Sequence, residues 1–327
     1  MAAGFKLGSV LAMTEVDFRT SAPVGGNWDV RWIHGAPRTR ACSDPPIQIH
    51  RNDPHSYVLR QSKALSFEAP FLYLLFGNER ALLLDTGATK DPARFPLRHT
   101  VDGLISEWLA DNPRSDYPLV VAHSHGHNDH VAADSQFADR PNTVVVPRTA
   151  PDVLTHFGLV DRPFEPTPFD LGGRVLEIFA IPGHHAASVA IYDPWTGWLL
   201  TGDTVYPGRL YVFEFAAFVD SLDRLVEFAH RRPVTHVLGC HIEMTTTPRR
   251  DYPLGAKYQP NEPPLQMTVA QLEAVRDAAH QVAAAPGAHR FDEFVIFNGR
   301  CTGELVRQLV RTMGRRARAL VTPHSLR

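Results

Sequence analysis

The stretch AHSHGHNDH, residues 122–130, sets four histidines and an aspartate within nine residues, directly behind the apolar run YPLVV at 117–121. That run is short and β-branched, which predicts a buried strand with the histidines at its end. In an extended segment residues two apart share a side, so His125 and His127 can reach one point. Gly126, Asn128 and Asp129 favour a turn, which carries Asp129 and His130 to an adjacent point. Imidazole and carboxylate suit a borderline cation such as zinc, at about 2.0–2.2 Å.

Working outward, SYVLRQ (56–61), FLYLLFG (71–77) and RALLLDTG (80–87) form a β-rich block, the last two joined by the hairpin signal Gly77-Asn78. Val101, Leu104, Ile105 and Trp108 are spaced as on one face of a helix. Past the cluster, NTVVVP, RVLEIFAIP, SVAIYD, GWLLTGD, THVLGC and DEFVIFN are expected strands. VDSLDRLVEFAHRR, TVAQLEAVRDAAHQVAAA and TGELVRQLVRTMGRR are expected helices, the last with Thr302 as N-cap. Residues 1–55 are irregular, broken by prolines, with a candidate strand at WDVRWIHG (28–35); residues 248–267 form a Pro-rich loop. The alternation predicts an α/β layered fold.

Of 327 residues, 44% are hydrophobic and 21% charged, and the formal net charge is -2. That balance offers no basic surface for nucleic acid and none for an anionic membrane. Cys42, Cys240 and Cys301 are odd in number and lack a CxxC, which argues against a disulfide framework or a thiolate zinc site. No window approaches the roughly 20 apolar residues of a membrane span. The opening MAAGFKLGSVLAMTEVDF is a poor secretory signal, so a cytoplasmic protein is expected.

His125-Gly126-His127-Asn128-Asp129-His130 reads H-x-H-x-D-H and resembles the signature of the metallo-β-lactamase superfamily. LLLDTG with Asp85, IPGHHAAS with His184, LLTGDTVY with Asp203 and VLGCHIEM with His241 resemble its other motifs, in the same order, over residues 56–245. The resemblance implies a four-layer αββα sandwich: a domain over 56–327 that includes C-terminal helices, with 1–55 packed on it as an extension. It implies two divalent metal ions, zinc by preference. His125, His127 and His184 would hold one, Asp129, His130 and His241 the other, and Asp203 would bridge them. Only the register starting at His125 places Asp129 and His130 correctly, which leaves His123 a bystander; His185 yields to His184 in the same way.

Two such ions about 3.5–4 Å apart can clamp a nucleophile and the oxygen it attacks. The resemblance therefore implies hydrolysis of an ester, lactone, thioester or amide in a small carbonyl-bearing substrate, with Asp129 orienting the attacking oxygen. The alternative is an iron-dependent redox enzyme of the persulfide dioxygenase type, against which a full second ligand set speaks. Tyr206, three residues after Asp203, matches a tyrosine that in lactonase-like members contacts the substrate carbonyl, and is a candidate catalytic group. Asp85 is expected behind the ligands. Cys240 is expected to be a buried inert thiol. Glu243 is read either as a surface carboxylate or as a ligand partner. LYVFEFAAF (210–218) would line a pocket or lead into a helix. Arg307, Arg311 and Arg315 are expected on a solvated helix face. Trp28, Trp32, Tyr252 and Tyr258 are candidates for the pocket rim or for a homodimer contact.

Overall fold

The computed structural model describes residues 15–38, 42–299, 301, 303–304, 306–308 and 310–311. The first half of the chain forms β1 (Ile47–Asp53), β2 (Ser56–Gln61), β3 (Phe71–Phe76), β4 (Ala81–Leu84), α1 (Leu97–Asp111), β5 (Leu119–Ala122), the single turn α2 (Asn128–Val131) and β6 (Thr143–Val145). Their six strands make one sheet in chain order, antiparallel from β1 to β4 and parallel from β4 to β6. After α3 (Ala150–His156) come β7 (Thr167–Asp170), β8 (Val175–Ala180), β9 (Val189–Asp193), β10 (Trp198–Gly202), β11 (Arg209–Val212), α4 (Phe215–Arg231), β12 (His236–Gly239), β13 (Gln266–Met267), α5 (Val269–Val282), β14 (Gly287–Arg290) and β15 (Val295–Asn298). A second six-stranded sheet runs β13-β12-β10-β9-β8-β7, and β11-β15-β14 form a small third one.

Alternation along the strands builds the layers. Phe71, Tyr73 and Leu75 of β3 enter a core shared with Ile191, Trp198 and Leu200 of the other sheet. Leu72, Leu74 and Phe76 face outward onto Val101, Leu104, Ile105 and Trp108 of α1. On the far side, Ala190, Tyr192 and Leu199 pack on Leu222 and Leu225 of α4 and Leu272 and Val275 of α5. The order is helix, sheet, sheet, helix. Strands covered on both faces must be apolar throughout, and β3, β4, β9 and β10 are buried at every position. A buried arginine ties the sheets together: Arg174 Nη1 donates to the carbonyls of His55 and Phe76 at 2.7 and 3.0 Å, and Nε to Asp193 at 3.1 Å. With its donors satisfied in this way the buried ion pair escapes the desolvation cost of an imperfect one.

WDVRWIHG does not form a strand; beyond one bridge, Gly35 to Tyr258, it makes no ladder. The side chain of Gln48 takes the place of a partner strand, accepting from Ile33 N at 2.7 Å and donating to Arg31 O at 3.0 Å. The strand in this region is β1, at the edge of the first sheet. Residues 248–265 are a long connection with isolated bridges at Asp251 and Tyr258, but the expected loop ends two residues early, because Gln266 and Met267 pair with β12 as β13. The described residues between 303 and 311 are helical, while Thr302 and Arg315 lie outside the described residues. Arg311 is not simply solvated: it donates to the buried carboxylate of Asp251 at 2.9 Å. Arg307 pairs with Glu304 at 2.8 Å. Among the described residues no helix is long and apolar enough to cross a membrane.

Candidate metal centre

β4 and β5 are parallel, and β8, β10 and β12 run parallel to one another across the second sheet. The loops leaving these five strands carry Asp85, the histidine cluster, His184, Asp203 and His241 in turn. All converge at one edge of the sandwich. Close approach there demands glycine twice. Gly202 has φ +54°, and a Cβ on it would meet the Cβ of Ser124 from the opposite sheet at 2.7 Å. At Gly183, φ +142°, a Cβ would lie 2.5 Å from the Cα of Phe218 in α4. Both positions use the conformations and the space that only glycine tolerates.

The seven expected ligands fall into two groups whose donor atoms all lie within 4.8 Å of one another: His125, His127 and His184, and Asp129, His130, Asp203 and His241. In the first, His125 Nε2 is 2.9 Å from His127 Nδ1 and 3.2 Å from His184 Nε2, and the last pair is 3.0 Å apart. Ligands at 2.0–2.1 Å around a tetrahedral zinc would be about 3.3–3.4 Å apart, within a few tenths of this spacing. In the second, His241 Nε2 is 3.3 Å from Asp129 Oδ2, 3.4 Å from Asp203 Oδ1 and 3.3 Å from His130 Nε2. Asp203 Oδ2 stands between the groups, 3.5 Å from His130, 3.8 Å from His184 and 4.0 Å from His125. Three nitrogens facing one another need a cation to satisfy them together, and Asp203 Oδ1 is buried without a hydrogen bond. The residues fit a pair of divalent ions.

The opposite edges of these rings are held. His184 Nδ1 meets the Tyr211 carbonyl at 2.7 Å and His241 Nδ1 the Glu68 carbonyl at 3.1 Å. His130 Nδ1 lies 2.9 Å from Asp85 Oδ2. Such partners fix which nitrogen faces an ion. Asp85, at φ +69°, also accepts from Ser124 N at 2.7 Å and Ser124 Oγ at 2.9 Å. The Cys240 thiol donates to the same carboxylate at 3.2 Å. Burial first, and then the Asp85 charge, push that thiol far above its usual range, so it stays protonated.

Electrostatically the groups differ. Burial, followed by the charge on His130, holds His125 well below the usual imidazole range, and burial lowers His127 and His184. Burial also opposes charge on His130 and His241, but the carboxylates prevail. Asp85, Asp203 and Asp129 raise His130 well above its ordinary value, and Asp203 and Asp129 raise His241 to about 9. Despite burial, the imidazoles around them hold Asp129 and Asp203 far below the carboxylate range.

His123 turns away to Asp134 Oδ1 at 2.9 Å, and His185 Nδ1 accepts from Ala187 N at 3.0 Å; neither belongs to a group. A cleft of about 150 Å³ opens over the ligands, and Glu68, Tyr206, Tyr211, Phe213 and Glu243 complete its wall. Tyr206 is buried, its ring 5.7 Å from that of His241 and its hydroxyl donating to the carbonyl of Arg209. Glu243 is neither a surface group nor a partner of a ligand: it pairs with buried Arg209, whose N donates to it at 2.8 Å. Tyr211 and Phe213 of LYVFEFAAF reach the cleft, while Leu210, Val212 and Phe218 enter the core, so that stretch does both things expected of it. Trp28, Trp32, Tyr252 and Tyr258 do not line the cleft. Trp32 packs edge-on to Phe71 in the core and Trp28 lies on Trp198, because the segment carrying them lies against the sheet pair. Glu68 and Tyr211 are wall residues that the sequence did not single out. Glu68 sits in an aperiodic loop with no signal, whereas Tyr211 lay inside the aromatic run.

A family model described as the metallo-beta-lactamase superfamily matches residues 67–241, just over half of the chain. The chain belongs to that superfamily, and its fold is the αββα sandwich described above. It is 27% identical over 172 residues to a hydroxyacylglutathione hydrolase of Nostoc punctiforme, covering 47% of this chain and 58% of that protein. It is 26% identical over 206 residues to the human acyl-coenzyme A thioesterase MBLAC2, covering 52% and 72% respectively. The chain thus spans less than two thirds of the length of the first of these relatives. A solved DIM-1 metallo-beta-lactamase superposes with a TM-score of 0.47 at 14% identity, over 73% of this chain and 98% of that one.

Proposed function

We propose that the chain is a metal-dependent hydrolase acting on the carbonyl of a small ester, lactone, thioester or amide. His125, His127 and His184 would hold one divalent ion, Asp129, His130 and His241 would hold another, and Asp203 would be shared. The observation that carries this reading is the position of Asp203, within 4.0 Å of members of both groups through one oxygen and orphaned at the other. Zinc suits a donor set of imidazoles and carboxylates. Bound there, the ions supply a Lewis acid for a carbonyl oxygen and lower the pKa of water.

The protein's own part is positioning and proton handling. Asp129 keeps about a quarter of its side chain exposed to the cleft, so it can orient an attacking water. Tyr206 can meet a substrate oxygen only if its proton leaves the Arg209 carbonyl. The phenol of Tyr211, another wall residue, instead accepts from Arg209 Nε at 3.0 Å. The names of the two relatives support a thioester within the substrate class. The unpaired state of Cys42, Cys240 and Cys301 supports a reducing, cytoplasmic setting.

The test is a panel of chromogenic esters, lactones, thioesters and β-lactams with zinc-loaded protein. Hydrolysis of one class, abolished by a chelator and restored by zinc, is expected. Tightly bound iron with oxygen consumption and no hydrolysis would overturn the reading in favour of the redox alternative.

A further inference from the structure

Two tyrosines line the cleft, and their hydroxyls are not equivalent. Tyr206 donates its proton to the Arg209 carbonyl, whereas the Tyr211 hydroxyl accepts from Arg209 Nε at 3.0 Å. A phenol oxygen that accepts still has its own O–H to give. Among the described residues nothing takes it, since no hydrogen bond runs from that hydroxyl to a protein acceptor. The same guanidinium also holds the carboxylate of Glu243, which lines the cleft, so the polar end of the Tyr211 ring lies at the cleft wall. Its apolar side packs on Phe297, ring centroids 4.7 Å apart, among Met244 and Val295. The Tyr211 carbonyl meets His184 Nδ1 at 2.7 Å, which ties the residue to the first ligand group.

Arg209 itself is buried and bound at all three of its guanidinium nitrogens. Besides Nε on Tyr211 and Nη2 on Glu243, Nη1 donates to Asp251 Oδ2 at 3.3 Å and to the Tyr252 carbonyl at 2.6 Å. Asp251 is fixed in turn from behind, by Arg290 and Arg311 at 2.9 Å each and by Gln308 at 2.7 Å. A run of contacts therefore leads from the C-terminal helical residues through Asp251 and Arg209 to Tyr211. A planar fork held at every nitrogen has one orientation, and it imposes one on the phenol it donates to. A donor fixed before a substrate arrives is the kind that stabilises charge developing on an oxygen.

We infer that Tyr211, and not Tyr206, is the phenol that donates a hydrogen bond to a bound carbonyl compound, and that Arg209, anchored by Asp251, is the positioning residue that aims it. The inference deepens the hydrolase reading and rests on it for the reaction, though the hydrogen bond itself is a property of binding.

The S-ethyl thioester of phenylacetic acid tests it on zinc-loaded protein, with zinc content checked in every variant. Tyr211→Phe is expected to lower kcat tenfold or more with a smaller change in KM, because a fixed donor acts mainly on the transition state. Tyr206→Phe is expected to cost less in kcat. Arg209→Lys keeps the charge between Glu243 and Asp251 but not the planar fork. It should lower kcat threefold or more in the wild-type background and less than twofold beside Tyr211→Phe. A merely structural role would cost the same in both backgrounds. Asp251→Asn supplies the same pair of measurements should Arg209→Lys not fold. The ketone with a methylene in place of the sulfur keeps the carbonyl and resists hydrolysis, and calorimetry should find it bound threefold or more weakly by Tyr211→Phe. A smaller loss of kcat in Tyr211→Phe, or an equal or larger one in Tyr206→Phe, overturns the role of Tyr211 and leaves the hydrolase reading intact. Equal losses from Arg209→Lys in both backgrounds overturn the role of Arg209. Should neither this thioester nor the wider panel be turned over, the hydrolase reading falls and the ketone decides alone. Threefold weaker binding by Tyr211→Phe then upholds the hydrogen bond, and equal binding or none overturns it.

Discussion

The two halves of the candidate metal centre are built from similar residues yet wait for a cation in opposite states. The group of His125, His127 and His184 has no carboxylate of its own, and burial leaves its rings neutral, with lone pairs already facing one another. The group of Asp129, His130, Asp203 and His241 balances its carboxylates with protons on the imidazoles. A cation entering the first half finds bare donors; one entering the second must displace protons. The contrast shows that ligand identity alone does not set readiness to bind, since the neighbouring charges decide the protonation each ligand starts from.

Removing the shared residue should break the comparison outright. Asp203→Ala is expected to lower zinc content at both positions and turnover by more than the about 100-fold typical of losing a mere supporting partner. His127→Ala should cost one equivalent of zinc and leave the other, as metal analysis would show. The pH dependence sharpens the contrast. His241 binds a proton below about 9 in the metal-free protein and loses it as the pH rises through that value. Calorimetry in buffers of different ionisation enthalpy should therefore find proton release at pH 7 for the second equivalent of zinc and little for the first. In the metal-free protein, the part of stability contributed by the charged His241 is complete below the unfolded imidazole value and fades as pH climbs through about 9.

Smaller effects are expected on the wall. Tyr206→Phe removes a buried hydrogen bond to Arg209 and should cost about 1 kcal/mol of stability. A fall in kcat larger than the change in KM would add a role in the reaction, and an unchanged kcat would confine Tyr206 to the wall. His123→Ala should leave zinc content intact, since its ring bonds Asp134, which Thr86 Oγ1 also holds at 2.7 Å. Loss of metal in that variant would mean that the two groups begin at the wrong histidine.

Much of this was legible because ligands that follow apolar strands announce themselves. Asp85, His125, His184, Asp203 and His241 each stand within a few residues of a strand end with a clear pattern, and their motifs, in the order of the family they resemble, implied the convergence. The strands buried on both faces made an α/β layered fold readable, while the particular αββα sandwich came from the family resemblance. What the sequence hid were features made by tertiary partners. β1, IQIHRND, alternates too briefly to stand out among prolines. WDVRWIHG carries strand-like residues, but the Gln48 amide takes its backbone groups. Trp28 and Trp32 looked like rim residues, yet they are packing that closes one side of the core. Arg311 on a polar helix face gave no sign of Asp251, 60 positions away. Glu68 owes its place to the carbonyl it offers His241, a contact no local pattern encodes.

The division of the ligands between the sheets has a consequence for assembly. His125 and His127 belong to the first half of the chain, while His184, Asp203 and His241 arrive with the second. Neither half alone can present a finished nest, so an ion captured there is also a rivet through the seam between them. A ligand at about a thousand times its dissociation constant adds on the order of 4 kcal/mol to the folded state. Each cation would thus report that the two halves have closed on each other, and metal supply would govern how long they stay closed.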